Sequence, residues 1–261
     1  MGVDAQCRGL VSSFLQAGEL AQLAPAAASA YFLDVDGTLL EIKPRPQDVS
    51  ADAPLRELLS RLAAGLNGAL ALVSGRAVDD LDQIFAPCSF PSAGLHGAEI
   101  RFADGARSRA ESAVMDAARP ELRLFAQTHP GLMLEDKGAT LALHYRQRPE
   151  LADEVRAALE KFARRPGLAV QEGKMVAELK QAQYEKGTAI EALLAARPFC
   201  GRTPVFIGDD LTDESGFDFV NRAGGVTIRV GAVGPTAARF FLSDPLAVRT
   251  QLRHVAATLD A

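Results

Sequence analysis

The chain lacks a basic surplus, a regular cysteine spacing and any apolar run long enough to cross a bilayer. Its 261 residues carry a formal net charge of -5. A nucleic-acid binder would ordinarily present a basic face, so that class of partner is set aside. The three cysteines, Cys7, Cys88 and Cys200, are odd in number and far apart. They form neither a disulfide framework nor a metal-ligand cluster, and a reduced, cytoplasmic chain is expected. Residues 20–33 are the most apolar stretch, but they are alanine-rich, interrupted by Pro25 and too short to span a membrane. No basic start followed by an early apolar core marks a signal peptide. Gln6 stands where a myristoylation signal at Gly2 would need Ser or Thr. What remains is ordinary: 48% hydrophobic and 23% charged residues, enough for one large domain or two small ones. A monomer with no membrane or nucleic-acid partner is expected.

Within this unremarkable composition, Tyr31-Phe-Leu-Asp-Val-Asp-Gly-Thr-Leu39 is the most informative segment. A short apolar run ends in two aspartates one residue apart, followed by Gly and Thr. Read as a buried strand, it places acidic groups at the carboxyl end of a sheet, where open α/β folds bind ligands. Asp34 and Asp36 would share one face of a regular strand. Two carboxylates crowded there require a cation between them, a shared proton, or a function that uses the strain. Gly37 permits a tight bend, and Thr38 offers a hydroxyl beside it.

The rest of the chain supplies a rhythm around that segment. Residues 8–23 read as a helix, and Pro44 and Pro46 mark a loop. Leu55, Leu58, Leu59 and Leu62 give residues 52–65 helical spacing. Ala69-Leu-Ala-Leu-Val73 is a second buried strand, ending at Ser74-Gly75-Arg76 and a helix to about Phe85. Alternating strands and helices indicate a parallel sheet. The middle third changes pattern, to a helix over 109–128, strands over 132–135 and 140–145, a helix over 150–164, and strands over 169–172 and 175–179. Asp136-Lys137-Gly138 and Gly173-Lys174 mark the turns between the paired strands. From Lys186 the first rhythm returns, with a helix to about Ala196, a strand over 204–207 and the acidic loop Gly208-Asp-Asp-Leu-Thr-Asp-Glu214. The expected architecture is a doubly wound α/β core, residues 1–107 and 182–261, interrupted by an α+β cap, residues 108–181. A cleft between the two parts is the natural substrate site. Closure is expected to hinge near 105–110 and 180–185, with Gly105 and Gly187 as neighbours.

Asp34 and Asp36, Ser74, Lys186 and the acidic loop would therefore meet at one edge of the sheet. Alone, each has a plainer reading as a loop start, a helix cap or a surface lysine. Together they assemble hard oxygen ligands with few His or Cys nearby, which suits Mg²⁺ bridging carboxylates and a substrate phosphate. Lys186 and Ser74 can hold phosphate oxygens while a carboxylate attacks phosphorus.

Asp34-Val-Asp-Gly-Thr38, Ser74, Lys186 and Gly208-Asp209-Asp210 resemble, in order, the four motifs of the haloacid dehalogenase superfamily of phosphatases. The resemblance implies a Rossmann-like core and a two-step mechanism. Asp34 would be the nucleophile, and Asp36 the acid and then the base. Asp34, Asp209 and the backbone carbonyl of Asp36 would ligate Mg²⁺, with Asp210 and Asp213 supporting them.

The form of the last motif, Val73-Ser-Gly-Arg76 and Ala93-Gly-Leu-His-Gly-Ala-Glu-Ile100 further resemble the trehalose-6-phosphate phosphatase family. So do Glu135-Asp-Lys-Gly138, Leu143-His-Tyr-Arg146 and Glu172-Gly-Lys-Met-Val-Ala-Glu178 in the cap. By that resemblance Glu135, Lys137 and Glu178 bind sugar hydroxyls, while Arg76, with His96, His144 and Arg146, orders the closed cleft. Arg76 is also counted as a substrate contact, and Glu178 is preferred to Glu172. Lys180-Gln-Ala-Gln-Tyr-Glu-Lys186 departs from the family, which usually has Pro, Gly and a preceding Asn there. The expected function is Mg²⁺-dependent hydrolysis of a sugar phosphate, trehalose 6-phosphate first. Alternatives are a sucrose- or mannosylglycerate-type phosphatase, a phosphomutase or a silent sugar-phosphate sensor.

Overall fold

The computed structural model describes residues 13–259 except 44, 46, 47, 112 and 174. The start of the expected helix 8–23, the prolines Pro44 and Pro46, and Lys174 lie outside the described residues.

A nine-stranded sheet forms the larger part of the molecule. Its strands are β1 (Ser13–Phe14), β2 (Ser29–Leu33), β3 (Leu70–Val73), β4 (Ser92–Gly94), β5 (Glu99–Arg101), β6 (Arg107–Arg109), β11 (Thr203–Gly208), β12 (Val226–Val230) and β13 (Phe240–Leu242). The order is β1-β13-β12-β11-β2-β3-β4-β5-β6, parallel from β1 to β4 and antiparallel at β5 and β6. Every residue of β2 and β3 is buried, which requires cover on both faces of the sheet. Helices α1 (Glu19–Leu23), α2 (Ala53–Gly65) and α8 (Pro245–Ala257) pack together as one group, and α6 (Lys186–Leu194) packs on α7 (Glu214–Arg222). Helix α3 (Val78–Phe85) lies against β4 and β5. Asp52 and Asp244 start α2 and α8 by accepting backbone N–H bonds, each ahead of a proline in the first turn.

The second sheet has four antiparallel strands, β7 (Met133–Asp136), β8 (Leu141–His144), β9 (Leu168–Gly173) and β10 (Val176–Gln181), in the order β7-β8-β10-β9. Helices α4 (Arg119–Thr128) and α5 (Ala152–Ala163) cover one of its faces. Leu141, Leu143, Ala177 and Leu179 join Leu122, Val155, Leu159 and Phe162 in a core of its own. The alternate residues face the first sheet across a cleft.

Three expectations need correction. Within the described residues, the expected helix 8–23 is helical only over α1, because Ser13 and Phe14 pair with β13 instead. The expected helix 109–128 begins at Arg119, since Pro120 has no N–H and fits only the first turn. Arg107–Arg109 is instead a strand of the large sheet, so the chain leaves that sheet at Ala110, just past the expected boundary. The two glycines expected beside the hinge lie in the β5–β6 turn, Gly105, and packed within the start of α6, Gly187. No helix among the described residues is long and apolar enough to cross a membrane.

Candidate active site

From β2 the chain proceeds to β3 on one side, while β11, β12 and β13 extend from β2 on the other. The order reverses between β2 and β11, and the carboxyl ends of those two strands carry Asp34 and Asp209. An open α/β sheet has its natural crevice at such a switch point.

Lys186, at the first position of α6, donates to Asp34 Oδ1 at 2.7 Å and to Asp213 Oδ1 at 2.6 Å. All three side chains are buried. Burial disfavours the ammonium, but the two carboxylates more than restore it, so Lys186 is held above its ordinary pKa. Burial drives Asp34 well above the carboxylate range, aided by Asp213 and Asp209 and opposed by Lys186. Asp209 is pushed up to about 6, by burial first and Asp213 second. Asp34, Asp209 and Asp213 can each offer an oxygen within 4.8 Å of the others. Three carboxylates against one ammonium leave a surplus of negative charge that a hard divalent cation fits.

The loops meet because Gly37 lets them. Its φ is 85°, and a Cβ there would lie 2.1 Å from Asp209 Oδ2. Thr38 Oγ1 donates to Asp209 Oδ1 at 3.4 Å. Asp213 does more than was expected of it: besides holding Lys186, its Oδ2 accepts the N–H groups of Asp209 and Asp210, at 2.9 and 2.8 Å. Asp210 is exposed and accepts from the N–H of Leu211 at 2.7 Å, outside the buried cluster.

Asp36 lies beside the cluster. Arg76 grips its carboxylate with two bonds, Nε to Oδ2 at 2.5 Å and Nη2 to Oδ1 at 2.7 Å. Ser74 is buried at the end of β3, and its Oγ accepts from the N–H of Arg76 at 3.2 Å.

Across a cleft of 650 Å³ lies the open face of the second sheet. A volume of this order suits a small-molecule ligand. Strand pairing puts Glu135, Ala142, Glu178 and Gln171 in one row across the strands. His144 Nε2 donates to Glu135 Oε2 at 2.8 Å, and that bond holds Glu135 below its usual pKa despite burial. Lys137 Nζ is 3.5 Å from Glu178 Oε1 and 3.9 Å from Glu135 Oε2. Burial works against charge on Glu178, yet the His96 ring at 3.7 Å and Lys137 bring it down to about 2. Burial lowers the pKa of His96, against the pull of Glu178. Glu178 Oε1 has no hydrogen-bond partner among the described residues. Arg146 also lines the cleft. Glu172 points the other way, to Arg156 of α5.

Sequence reasoning left out Gln171 and passed over Glu99, both of which lie at the seam between the sheets. Strand parity would have found Gln171, which faces the same way as its cross-strand partner Glu178. No comparable signal marks Glu99.

The chain resembles known proteins over most of its length. It is 44% identical over 211 residues to a probable trehalose-phosphate phosphatase of Sinorhizobium fredii, covering 80% of each chain. It is 43% identical over 221 residues to the trehalose-6-phosphate phosphatase of Escherichia coli K12, covering 84% of this chain and 83% of that one. A crystal structure of a trehalose-6-phosphate phosphatase related protein superposes with a TM-score of 0.73 at 29% identity, over 88% of this chain and 97% of that one. The fold is that of haloacid dehalogenase superfamily phosphatases. Residues 32–246 match the trehalose-phosphatase family, a stretch that contains every loop and strand lining the cleft. The chain belongs to the trehalose-phosphatase family.

Proposed function

We propose that this chain is a cytoplasmic, Mg²⁺-dependent enzyme that hydrolyses trehalose 6-phosphate to trehalose and phosphate. The observation that carries the reading is the pairing of two unlike walls across one cleft. One wall holds buried carboxylates with a lysine, suited to phosphorus chemistry. The other presents Glu135, Lys137 and Glu178, with a buried Glu178 oxygen that accepts no hydrogen bond among the described residues, suited to sugar hydroxyls. The family resemblance and the names of the relatives favour trehalose 6-phosphate as that sugar phosphate.

In the first step a carboxylate oxygen of Asp34 attacks phosphorus, and the bond from phosphorus to the sugar oxygen breaks. Asp36 gives that oxygen its proton, and trehalose leaves. In the second step water attacks the aspartyl-phosphate. Asp36 takes the proton from water, and inorganic phosphate and the free Asp34 carboxylate are restored. The acid role requires Arg76 to loosen its grip on Asp36, and an arriving phosphate dianion competes for that guanidinium. Lys186 and Ser74 hold the equatorial oxygens. Asp34, Asp209 and the backbone carbonyl of Asp36 would hold the Mg²⁺, with Asp213 beside them. Bound there, the cation neutralises phosphate charge and fixes the phosphate oxygens.

The test is phosphate release from a panel of trehalose 6-phosphate, sucrose 6-phosphate, mannosylglycerate phosphate and glucose 6-phosphate, with Mg²⁺ and with a chelator. Turnover that prefers the trehalose ester and stops on chelation is expected. Equal rates on glucose 6-phosphate would sink the substrate assignment. Binding without turnover would make the chain a sensor.

A further inference from the structure

The segment Ala93-Gly-Leu-His-Gly-Ala-Glu-Ile100 has no place in the two-step chemistry, yet its backbone is strained. Leu95 and His96 have φ of 50° and 55°, left-handed values that cost a residue with a Cβ roughly 1 kcal/mol or more each. The strain aims two side chains at the seam between the sheets. Leu95 enters a small apolar seat with Ala98 and Ala110 from the large-sheet side and Ala139 from the cap, flanked by Ala77 and Tyr184. His96 passes over Gly75, where a Cβ would lie 2.7 Å from its ring. There Gln171 Nε2 donates to His96 Nε2 at 2.9 Å, and Glu178 Oε2 is 3.7 Å away.

The same turn is bonded to the loop after β3. The N–H of His96 donates to the Ser74 carbonyl at 3.0 Å, and the N–H of Leu95 to the Arg76 carbonyl at 2.9 Å. Glu99 repeats the arrangement. One of its oxygens accepts from the N–H of Val78 at 3.0 Å, and the other is 3.1 Å from Arg109 Nε. Arg109 in turn donates to the Lys137 carbonyl at 3.4 Å. Two bonded routes thus leave the Ser74–Val78 loop and end beside Glu178 and Lys137, two of the three residues assigned to the sugar.

We propose that His96 is a positioning residue for sugar discrimination, holding Gln171 beside Glu178 and in register with the phosphate-binding loop. This rests on the sugar-phosphatase reading of the cleft. His96 touches neither phosphorus nor the leaving oxygen in that reading; it fixes where the Gln171 amide stands beside Glu178 when the sugar arrives. A site with its donors and acceptors fixed in advance rejects substrates that leave them unpaired.

The experiment is a double-mutant cycle with His96→Ala and Gln171→Ala, read on trehalose 6-phosphate and on p-nitrophenyl phosphate, which has no sugar. His96→Ala is expected to lower kcat/KM on the trehalose ester roughly tenfold or more, mostly through KM, and to change the aryl ester less than about threefold. His96→Gln, which can place an acceptor at the position of Nε2, is expected to restore most of the loss. The double variant is expected to be no worse than either single, because both remove the same contact. Equal losses on both substrates would overturn the proposal, as would additive losses in the double variant. If His96→Ala fails to fold in a thermal melt, Gln171→Ala and His96→Gln carry the comparison. If the wild type shows no preference for trehalose 6-phosphate, the substrate reading fails separately. The same cycle, run on the sugar phosphate the enzyme does prefer, still decides the role of His96.

Discussion

Replacing Glu178 by Gln removes one charge from the sugar-reading row while keeping its shape, and the structure sets the size of the effect. The side chain is 9% exposed and Lys137 stands 3.5 Å away. The carboxyl lies at about 2 in the folded protein against an ordinary 4.5. At about 1.36 kcal/mol per unit, this difference contributes roughly 3 kcal/mol to stability at pH 7. A depressed carboxyl stabilises the fold above its unfolded pKa and loses that contribution as pH falls through the folded value. The gap between wild type and Glu178→Gln is therefore expected to narrow to roughly half at pH 3 and to vanish below pH 2. Urea unfolding followed by circular dichroism at several pH values reads this directly, as a midpoint shift on the order of 1 M at neutral pH. The activity arm uses the same variant. Its kcat/KM on trehalose 6-phosphate is expected to fall roughly a hundredfold, with p-nitrophenyl phosphate spared. A variant as stable as wild type at pH 7, or a gap that widens in acid, would refute the electrostatic account.

Asp34→Asn is expected to cut turnover by more than about 10³-fold while calorimetry still detects substrate binding; wild-type turnover would exclude Asp34 as nucleophile. Lys186→Met leaves Asp34 and Asp213 buried without their shared cation, so urea unfolding in chelator should show a loss of about 3–5 kcal/mol. Gly37→Ala drives a methyl group into Asp209 at a left-handed backbone position. It should weaken Mg²⁺ binding by calorimetry at least roughly tenfold, and unaltered binding would show that the two loops need not touch.

The positions of Asp34, Ser74, Lys186 and Asp209 were legible because three follow buried strands and the lysine opens a helix after the cap. A strand end is a place that periodicity can locate. The split between Asp210 and Asp213 was not legible. Both sit in one acidic loop, and only its fold turns Asp213 inward to Lys186 and Asp210 outward to the Leu211 N–H. The β5–β6 hairpin escaped for a different reason. Its strands, Glu-Ile-Arg and Arg-Ser-Arg, are too charged to read as sheet. Ion pairs from Arg101 to Asp82 and from Arg107 to Asp79, contacts distant in sequence, settle them at the edge. Propensity yields to tertiary context there. The atypical segment 180–185 is likewise held by its own bonds: Lys180 donates to the Tyr184 carbonyl at 2.9 Å, and Gln181 to the Glu111 carbonyl at 3.2 Å. Gln181 thereby ties together the two places where the chain passes between the sheets.

Strand β10 carries a consequence for how this enzyme tolerates genetic change. Ala177 and Leu179 belong to the cap's own core, while Val176, Glu178 and Lys180 face the other way. Substitutions at Glu178 are expected to change which ester is accepted, and those at Ala177 and Leu179 to change whether this sheet packs on its helices. Loss of a single codon in the turn before Val176 would exchange the two classes, sending Glu178 into the apolar layer and Ala177 to the substrate.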